Sequence, residues 1–423
     1  MNYILGSRNK DLFYIVFSSL AGFLIVGIYW FQTHLLNISE AMASLVTFVA
    51  FSILFDIRHF FPTYSRTLFD KAFRKENSGW FFSSWLFILF VPVLVVFILS
   101  WGQYKAYDSF VLFSIFLRFT YIVGFYHLVK QNWGFMAIYK KKYGEDGKSD
   151  RWEKLLLLSG SFLPFLYVSM KNHVWFSGGN YAFAPQSNEV NYITEMWDEL
   201  ALVMLGLGLF LLAVGFLFKS KPQYKYVSRN LGFLLTGLFI IYNLIKSNGA
   251  DQVMVLLIII AALSFVIALV QTIRFNRVYG FRNKEKWMVL ISSLVLYAGI
   301  ILLPIENKFV IIMGITLPHN IQYLAFTKAF SKQYYSSSSK SHGFAKTLAE
   351  KAGLFFVLSI IYALLFESMR TGVKFIPIDA SDETLLFVRN LISVFFLGMV
   401  MHHYYLDAII WRVRKDKDLS SSI

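Results

Sequence analysis

The chain lacks cysteine altogether and carries little charge for its length. Of its 423 residues, 8 are proline, none is cysteine and 15% are charged. Without cysteine there can be no disulfide framework, no thiolate zinc site and no iron–sulfur cluster held by thiolates. A soluble globular domain usually carries about 25% charged residues, so a water-soluble fold matches this composition poorly. Any metal would have to bind through histidine, carboxylate or amide groups.

Apolar residues are correspondingly abundant in the chain. They make up 57% of the chain, aromatic residues make up 19%, and the mean hydropathy is +0.55. The apolar residues form repeated runs long enough to cross about 30 Å of hydrocarbon as helices, which satisfy their own backbone in lipid. The sequence therefore predicts an all-α, polytopic integral membrane protein, with one transmembrane domain over 1–423. We predict twelve spans, at 12–31, 41–61, 80–101, 108–130, 154–170, 196–218, 226–245, 253–273, 287–305, 309–328, 351–368 and 383–407.

Lysine and arginine alternate sharply between successive loops. Of the 40 such residues, 31 lie in alternate segments and 6 in the opposite loops. The rich segments are 1–11, 62–79, 130–154, 219–229, 274–286, 328–351 and 412–423. The positive-inside rule then predicts cytoplasmic termini and an exterior loop at 171–195, which would suit a lid. We expect a multi-pass protein of a bacterial inner membrane or an equivalent membrane.

The net charge of +15 has a simple interpretation under this topology. The basic residues mark the cytoplasmic loops and contact anionic lipid headgroups. They are spread over seven loops instead of one patch, which argues against a nucleic-acid partner. The same loops offer a docking face for an acidic electron-transfer protein.

Three of the eight histidines fall outside the predicted spans. His34 and His173 lie in exterior loops or at their edges, and His342 lies in the serine-rich segment 334–343. That segment, "YYSSSSKSHG", is typical of a flexible linker. We expect these three histidines to be solvated.

The other five histidines share one layer of the membrane. They lie in the second, fourth, tenth and twelfth spans, all of which run from outside to inside. His59, His319 and His403 each precede the first basic residue beyond their span by seven to nine positions, a depth of roughly 10–14 Å. His127 joins this layer if "KQNWGFMAIYKKK" continues its helix. His402 adjoins His403. Ionisable groups inside membranes are costly and usually face a cavity or one another.

Carboxylates accompany two of these histidines. In "MHHYYLDAIIW", His403 and Asp407 are four residues apart and share a helix face. His402 points about 100° away, towards a second ion or a neighbouring helix. In "FDIRHFFPTYSR", Asp56 lies three residues before His59. Either carboxylate, Asp56 or Asp407, is a candidate base.

Further polar side chains suit a supporting shell around the histidines. Gln131 lies four residues after His127, and Gln322 and Tyr323 lie one turn after His319, where Pro318 predicts a kink. Arg118, in the fourth span, is a candidate for holding a substrate carboxylate or phosphate. The plainer interpretation of Arg118 is a salt bridge between helices, with Glu199 or Glu367 as partner.

Each histidine taken singly has an ordinary interpretation. A buried histidine often only packs helices, "HH" near an interface can contact headgroups, and Asp407 can pair with Arg412 or Arg414. The shared depth and the His403–Asp407 pair together favour metal ligation by His59, His127, His319, His402, His403 and Asp407. Histidine and carboxylate without cysteine suit iron, with one or two ions, or zinc as the alternative.

Three functions remain open on the sequence. A ligand-rich metal site in a membrane favours an oxidoreductase: a non-haem iron oxygenase, hydroxylase or desaturase acting on a lipid-like substrate from the cytoplasmic side. The HxxxH and HxxHH boxes of histidine-ligated di-iron desaturases are absent, so no family is indicated. The second function is a metal- or histidine-dependent lipid transferase or hydrolase. The third is a twelve-span secondary transporter with a His/Asp proton relay.

Overall fold

The structure is a computed structural model of the chain, and helices make up its regular structure over the residues it describes. Those residues are 3–79, 81, 84–86, 88–90, 93–94, 109–172, 205–209, 232, 236, 250–278, 281–305, 307–337, 340–372 and 383–410. The chain divides into two compact units. One comprises Met1–Phe97, Phe119–Pro164 and Phe265–Ile423, and the other comprises Ile98–Arg118 and Phe165–Ser264.

The principal described helices are numbered here in chain order. They are α1 (Arg8–Leu35), α2 (Glu40–Leu68), α3 (Lys71–Glu76), α4 (Ser109–Lys142), α5 (Asp150–Asn172), α6 (Ala250–Arg277), α7 (Lys284–Leu302), α8 (Lys308–Ser337), α9 (Phe344–Glu350), α10 (Ala352–Gly372) and α11 (Glu383–Ile410). Side chains begin several of them, as when Ser39 accepts a hydrogen bond from the Met42 backbone N–H at the start of α2.

Six helices in the described part of the chain are long and apolar enough to cross a membrane: α1, α2, α6, α7, α8 and α10. They correspond to six of the predicted spans, and the polytopic, all-helical class is confirmed at this level. Three further predicted spans, 108–130, 154–170 and 383–407, coincide with α4, α5 and α11. The spans predicted at 80–101, 196–218 and 226–245 fall largely outside the described residues, as does the 171–195 loop. Twelve spans and cytoplasmic termini stay predictions.

Helix α4 runs without a break for 34 residues, to Lys142. The segment "KQNWGFMAIYKKK" therefore does continue the helix of His127, as the sequence analysis required. At 1.5 Å per residue the helix is about 51 Å long, longer than the predicted span. Its last turns carry charged residues beyond that span.

Helix α2 packs on both sides and holds His59 between two apolar clusters. One cluster joins α2 to α1 and α8 and includes Phe51, Ile25 and Met313. The other joins α2 to α10 and α11 and includes Phe60 and Phe366. His59 therefore occupies a fixed position inside the first unit.

Helix α2 loosens next to His59. Its turn at Ser52–Asp56 is wider than an α-helical turn, and residues 57–59 form a turn. The N–H of Phe60 then donates to the Ile57 carbonyl at 3.1 Å, a bond over three residues. Pro62 contributes at the turn itself, because it has no N–H to give to the Arg58 carbonyl and its ring crowds that group. Wider turns inside helices often occur at functional sites.

A glycine contact brings α1 against α8 beside Pro318. A Cβ on Gly22 would overlap the Gly314 carbonyl oxygen, so only glycine permits this approach. Pro318 has no N–H to donate to that same carbonyl. Small residues that let helix backbones approach closely are a recurrent feature of membrane helix pairs. The contact sets α8, and with it His319, close to α1.

Candidate metal centre

Four of the predicted histidines and Asp407 converge in the first unit. His59 comes from α2, His127 from α4, His319 from α8, and His403 from α11. Their imidazole rings form a closed circuit in which each ring packs against the next. The four ring-centre separations are 4.8 Å for His59–His403, 5.2 Å for His59–His319, 5.0 Å for His127–His319 and 5.9 Å for His127–His403. Four helices that are far apart in the chain thus meet at one point.

Three ligand atoms of this group come especially close. One nitrogen of His127, one of His403 and one carboxylate oxygen of Asp407 all lie within 4.8 Å of one another. The Oδ2 atom of Asp407 lies 3.5 Å from His403 Nε2 and 3.9 Å from His127 Nε2. A His/Asp group of this kind can bind a metal ion. Asp407 belongs to the group because it lies four positions after His403, on the same helix face.

The histidines are buried without hydrogen-bond partners for most of their nitrogens. His59, His319 and His403 are 3%, 2% and 0% exposed. Both nitrogens of His59, both of His319 and Nε2 of His127 and His403 have no hydrogen-bond partner among the described residues. A buried polar atom without a partner typically costs about 1–3 kcal/mol. Six such atoms on four touching rings are an unusual concentration of polar groups without side-chain partners among the described residues.

Thr63 and Tyr323 hold the opposite side of Asp407. Asp407 Oδ1 accepts a hydrogen bond from the Tyr323 hydroxyl at 2.6 Å and one from the Thr63 hydroxyl at 2.8 Å. The same Thr63 oxygen lies 2.9 Å from His403 Nδ1 and 2.6 Å from the Tyr323 oxygen. Tyr323 was a sequence-predicted supporting residue and does adjoin the cluster. Thr63 was missed, although it lies four residues after His59 and therefore shares its helix face.

His402 lies outside the circuit. Its Nε2 is 3.1 Å from the Ser84 hydroxyl and its Nδ1 is 3.5 Å from the Tyr64 hydroxyl. Ser84 gives its single hydrogen to the Phe81 carbonyl at 2.6 Å, so Nε2 of His402 must be the donor in its bond to Ser84. Of the two directions open to His402 in the sequence, a bond to neighbouring residues is the one observed. Because Nε2 of His402 already carries a hydrogen, it cannot take the proton of Ser84, so His402 is not a general base for Ser84.

The predicted glutamines support the cluster from one layer further out. Gln131 donates from its side-chain nitrogen to the His319 carbonyl at 3.1 Å and to Gln322 Oε1 at 3.0 Å. Gln322 in turn donates to the Ile15 carbonyl at 2.8 Å and to Asn132 Oδ1 at 3.3 Å. These bonds fix the backbone of His319 instead of its ring, so the two glutamines are close to the site without contacting an imidazole.

Two other predicted site residues have different surroundings. Asp56 Oδ1 accepts a hydrogen bond from the Asn320 side chain at 3.4 Å, and Asp56 is not in the His127–His403–Asp407 group. Arg118 lies within α4, but its side chain falls outside the described residues. Of the partners suggested for Arg118, Glu367 accepts a hydrogen bond from Ser52 at 2.6 Å, and Glu199 lies outside the described residues.

The expectation that His342 is solvated was wrong. His342 is 1% exposed, and its Nδ1 lies 2.9 and 3.0 Å from the two oxygens of Asp70. Helix α8 also extends to Ser337, so the first part of the presumed linker 334–343 is helical. Tyr335 packs on the His342 ring and donates to Asp70 at 3.2 Å. The serine run predicted a flexible linker, and nothing in the sequence indicated that the neighbouring tyrosines would pack on His342. His34, by contrast, is exposed as expected, and His173 lies outside the described residues.

A second buried polar group, which we call the ionic cluster, lies where the ends of helices α4, α5, α6 and α7 meet. Its members are Lys140, Glu145, Ser149, Asp150, Glu153, Asn276, Asn283 and Lys286. Lys286 Nζ lies 2.7 Å from Glu145, 2.8 Å from Glu153 and 2.5 Å from the Asn276 oxygen. Lys140 Nζ lies 2.7 Å from Asp150 and 2.5 Å from both Glu153 and Ser149. Each ammonium thus has three acceptors for its three hydrogens.

The ionic cluster changes the pKa values of two of its members, Glu153 and Lys140, which lie outside the predicted spans. Burial alone would raise the pKa of Glu153, but the ammonium groups of Lys286 and Lys140 outweigh burial and lower the pKa. Burial likewise opposes the charge of Lys140, yet hydrogen bonds to Asp150 and Glu153 raise the pKa of Lys140 above its usual value. Both groups are therefore held in their charged forms around neutral pH.

Comparison of the chain with protein-family models, with curated proteins and with solved structures finds no match. The assignment of a function therefore depends on the site itself.

Proposed function

We propose that the protein is a membrane-embedded metalloenzyme with one non-haem iron ion, and that it oxidises a lipid-like substrate. The observation that carries this proposal is the group formed by His127, His403 and Asp407. Two histidines and one carboxylate with open positions are typical of non-haem Fe(II) oxygenases. The rings of His59 and His319 pack against the same group, although their nitrogens are not among the three converging ligand atoms.

The ring spacing supports one ion in preference to two. A nitrogen bound at about 2.1 Å puts the imidazole centre roughly 3.2 Å from the ion, so adjacent rings about 90–110° apart would be about 4.5–5.2 Å from each other. Three of the four ring pairs, at 4.8, 5.0 and 5.2 Å, fall in this range, and the His127–His403 pair, at 5.9 Å, lies above it. Only Asp407 among the described residues supplies a carboxylate to the group, whereas a pair of ions about 3.5–4 Å apart needs ligands for both.

Iron suits the ligand count better than zinc does. Catalytic zinc usually takes three protein ligands and keeps a single fourth position for water, whereas iron held by two histidines and one carboxylate keeps several open positions for oxygen and substrate. Iron bound here would supply oxygen activation. Insertion of one oxygen atom of O₂ into a C–H bond consumes two electrons and two protons and releases one water. An acidic electron-transfer protein docked on the basic loops is the proposed source of those electrons.

The exposure of His127 supports a lipid-like substrate. Its side chain is 16% exposed, whereas the side chain of His403 is fully buried. On the same helix, Tyr121, Ile122 and Tyr126 are 38–45% exposed. The accessible side of the cluster is therefore flanked by exposed apolar and aromatic surface, the kind of surface along which an acyl chain packs.

Metal content of the purified protein tests the proposal most directly. We expect about one equivalent of iron in the wild type and almost none in His403→Ala or Asp407→Ala. His34→Ala, which alters an exposed histidine, is the matched control and should keep its iron. Stoichiometric zinc would support the transferase or hydrolase alternative. A protein that binds no metal would favour the third alternative, a transporter with a His/Asp proton relay.

The predicted orientation is part of the proposal and has its own test. Because the chain has no cysteine, a single introduced cysteine reports its own position. A cysteine at Lys148 should be protected from an impermeant maleimide added outside, and one at Ser187 should react. The reverse pattern would put the histidine cluster near the exterior face and remove the basis for a cytoplasmic electron donor.

A further inference from the structure

We infer that Thr63 is the positioning residue of the histidine cluster: its hydroxyl fixes His403 in the tautomer whose Nε2 carries a lone pair, and it holds Asp407 beside that nitrogen. This inference rests on the proposed function in one respect, because the lone pair is useful only to a bound cation. The arrangement itself rests on three short contacts to the Thr63 oxygen and on one between Tyr323 and Asp407.

The first step is a count of hydrogens at Thr63. A threonine hydroxyl has one hydrogen to give and two lone pairs that accept. The Thr63 oxygen has three polar neighbours within hydrogen-bond distance: Asp407 Oδ1 at 2.8 Å, Tyr323 at 2.6 Å and His403 Nδ1 at 2.9 Å. A single hydrogen cannot serve all three, so at least one neighbour must donate to Thr63.

The second step decides where the Thr63 hydrogen goes. The Thr63 hydroxyl donates to Asp407 Oδ1 at 2.8 Å, and a carboxylate oxygen accepts and has no hydrogen to give back. The Thr63 hydrogen therefore points to Asp407. Tyr323 can give its own hydrogen to Asp407 or to Thr63, and in either case the Thr63 hydroxyl has none left for the imidazole. His403 must then donate from Nδ1–H to the Thr63 oxygen.

The third step follows from the chemistry of a neutral imidazole. A hydrogen on Nδ1 leaves Nε2 as an unprotonated acceptor. The Nε2 atom of His403 is buried, has no hydrogen-bond partner among the described residues, and lies 3.5 Å from Asp407 Oδ2. Two electron-rich atoms thus face each other with no hydrogen between them. A cation placed between them would be within reach of both, and ligating histidines usually donate their other N–H in this way.

The burial of Thr63 favours a positioning role over a solvent contact. Thr63 is fully buried, and the backbone around it is held by a second threonine, since the Thr67 hydroxyl donates to the Thr63 carbonyl at 2.9 Å. The side chains of Thr63 and Thr67 are thus one helical turn apart and equally inaccessible, but only Thr63 contacts the cluster. This pair supplies a matched control.

Metal affinity and tautomer should be measured together. The protein in detergent is titrated with Co²⁺ against a competing chelator, for the wild type, Thr63→Val, Thr63→Ser and Thr67→Val. Thr63→Val keeps the shape but loses the hydroxyl, and we expect it to bind Co²⁺ about 10–100-fold more weakly. Thr63→Ser keeps the hydroxyl and should bind like the wild type, as should Thr67→Val.

The second readout needs no metal and does not depend on the valine variant folding. Nitrogen-15 NMR of histidine-labelled, metal-free wild type, with His403→Ala to assign the signal, reports which nitrogen carries the hydrogen. We expect Nδ1–H for His403. A hydrogen on Nε2, or Co²⁺ affinity in a folded Thr63→Val equal to that of the wild type, would overturn the inference while leaving the metal site intact. A wild type that binds no metal would instead overturn the proposed function, and the NMR spectrum would still decide the tautomer.

Discussion

The first unit contains two buried polar clusters that solve the same physical problem differently. In the ionic cluster, the ammonium groups of Lys140 and Lys286 each have three acceptors, and Glu153 accepts from both. In the histidine cluster, six imidazole nitrogens have no hydrogen-bond partner in the described part of the chain. Polar groups in protein interiors are normally satisfied, and each exception asks for an explanation.

The difference indicates what each cluster is for. The ionic cluster contains both signs of charge and is complete without any further molecule, so it serves the fold. The histidine cluster brings imidazole lone pairs and a carboxylate together, and no lysine or arginine ion pair with its four rings is present among the described residues, so we propose that a bound cation completes it. Removing one member of the ionic cluster should destabilise the fold. Adding a metal ion should stabilise the protein through the histidine cluster.

The largest effect should come from removing one charge from the ionic cluster. Lys286→Met leaves Glu145 and Glu153 buried with one fewer counter-charge, and breaking a buried ion pair in this way typically costs about 3–5 kcal/mol. We expect a large drop in the unfolding temperature of the protein in detergent. Adding Glu153→Leu should restore part of the loss. Equal stability of Lys286→Met and the wild type would mean that the ionic cluster contributes nothing to the fold.

Metal should stabilise the protein through the histidine cluster alone. With free metal at 100 times its dissociation constant, binding to the folded state adds about 2.7 kcal/mol of stability. We expect the unfolding temperature of the wild type to rise on loading and to fall again with a chelator. His403→Ala should show no such rise, whereas His34→Ala should behave as the wild type. An equal rise in His403→Ala would place the metal somewhere else.

His402→Ala should separate the two adjacent histidines. It removes the bonds to Ser84 and Tyr64, so we expect a stability loss of about 1–2 kcal/mol with metal stoichiometry unchanged. Both variants remove a buried histidine from adjacent positions, so a difference in metal content between His402→Ala and His403→Ala reports where the imidazole lies and not merely that a histidine is lost. Loss of metal in His402→Ala would show that the site extends beyond the four converging rings.

The smallest effect near neutral pH should be the titration of the ionic cluster. The pKa of Glu153 is lowered, so its contribution to stability is complete above its unfolded pKa and is lost as pH falls through its folded pKa. The pKa of Lys140 is raised, so its contribution is complete below its unfolded pKa and is lost as pH rises through its folded pKa. Stability measured in metal-free protein should therefore be flat around neutrality. In Glu153→Gln the fall on the acid side should be shallower, and an unchanged acid limb would contradict the role of Glu153.

Much of the histidine cluster was predictable from the sequence. A common depth in alternate spans singled out His59, His127, His319 and His403, and four-residue spacing added Asp407. These signals work because ionisable groups are rare in membrane helices and stand out against leucine and phenylalanine. The role of Thr63 was not predictable in the same way, since a threonine hydroxyl can be satisfied by its own helix and carries no signal of its own. Its spacing from His59 is the one clue available.

The ionic cluster and His342 show where sequence reasoning had too little information. Lys140 and Lys286 counted only as markers of topology and Glu153 was not singled out, because charge between apolar runs is ordinarily solvated. Their mutual burial depends on how α4, α5, α6 and α7 meet, which spacing along the chain does not contain. His342 was misjudged for the related reason that its partner, Asp70, lies 272 positions away. His402 and His403 are neighbours in sequence, and only the packing of α11 decides which one faces the other histidines.

Helix α4 has a mechanical consequence for the site. It carries His127 and Lys140 on one unbroken rod, 13 residues apart, which is roughly 20 Å. A rod of that length converts a tilt of about 3° at one end into a displacement of about 1 Å at the other, and functional constellations tolerate only about 0.5 Å. The ionic cluster holds the Lys140 end of this rod, and His127, the most exposed of the four imidazoles, lies further along it. A substitution that loosens the ionic cluster is therefore expected to shift the His127 ring as well.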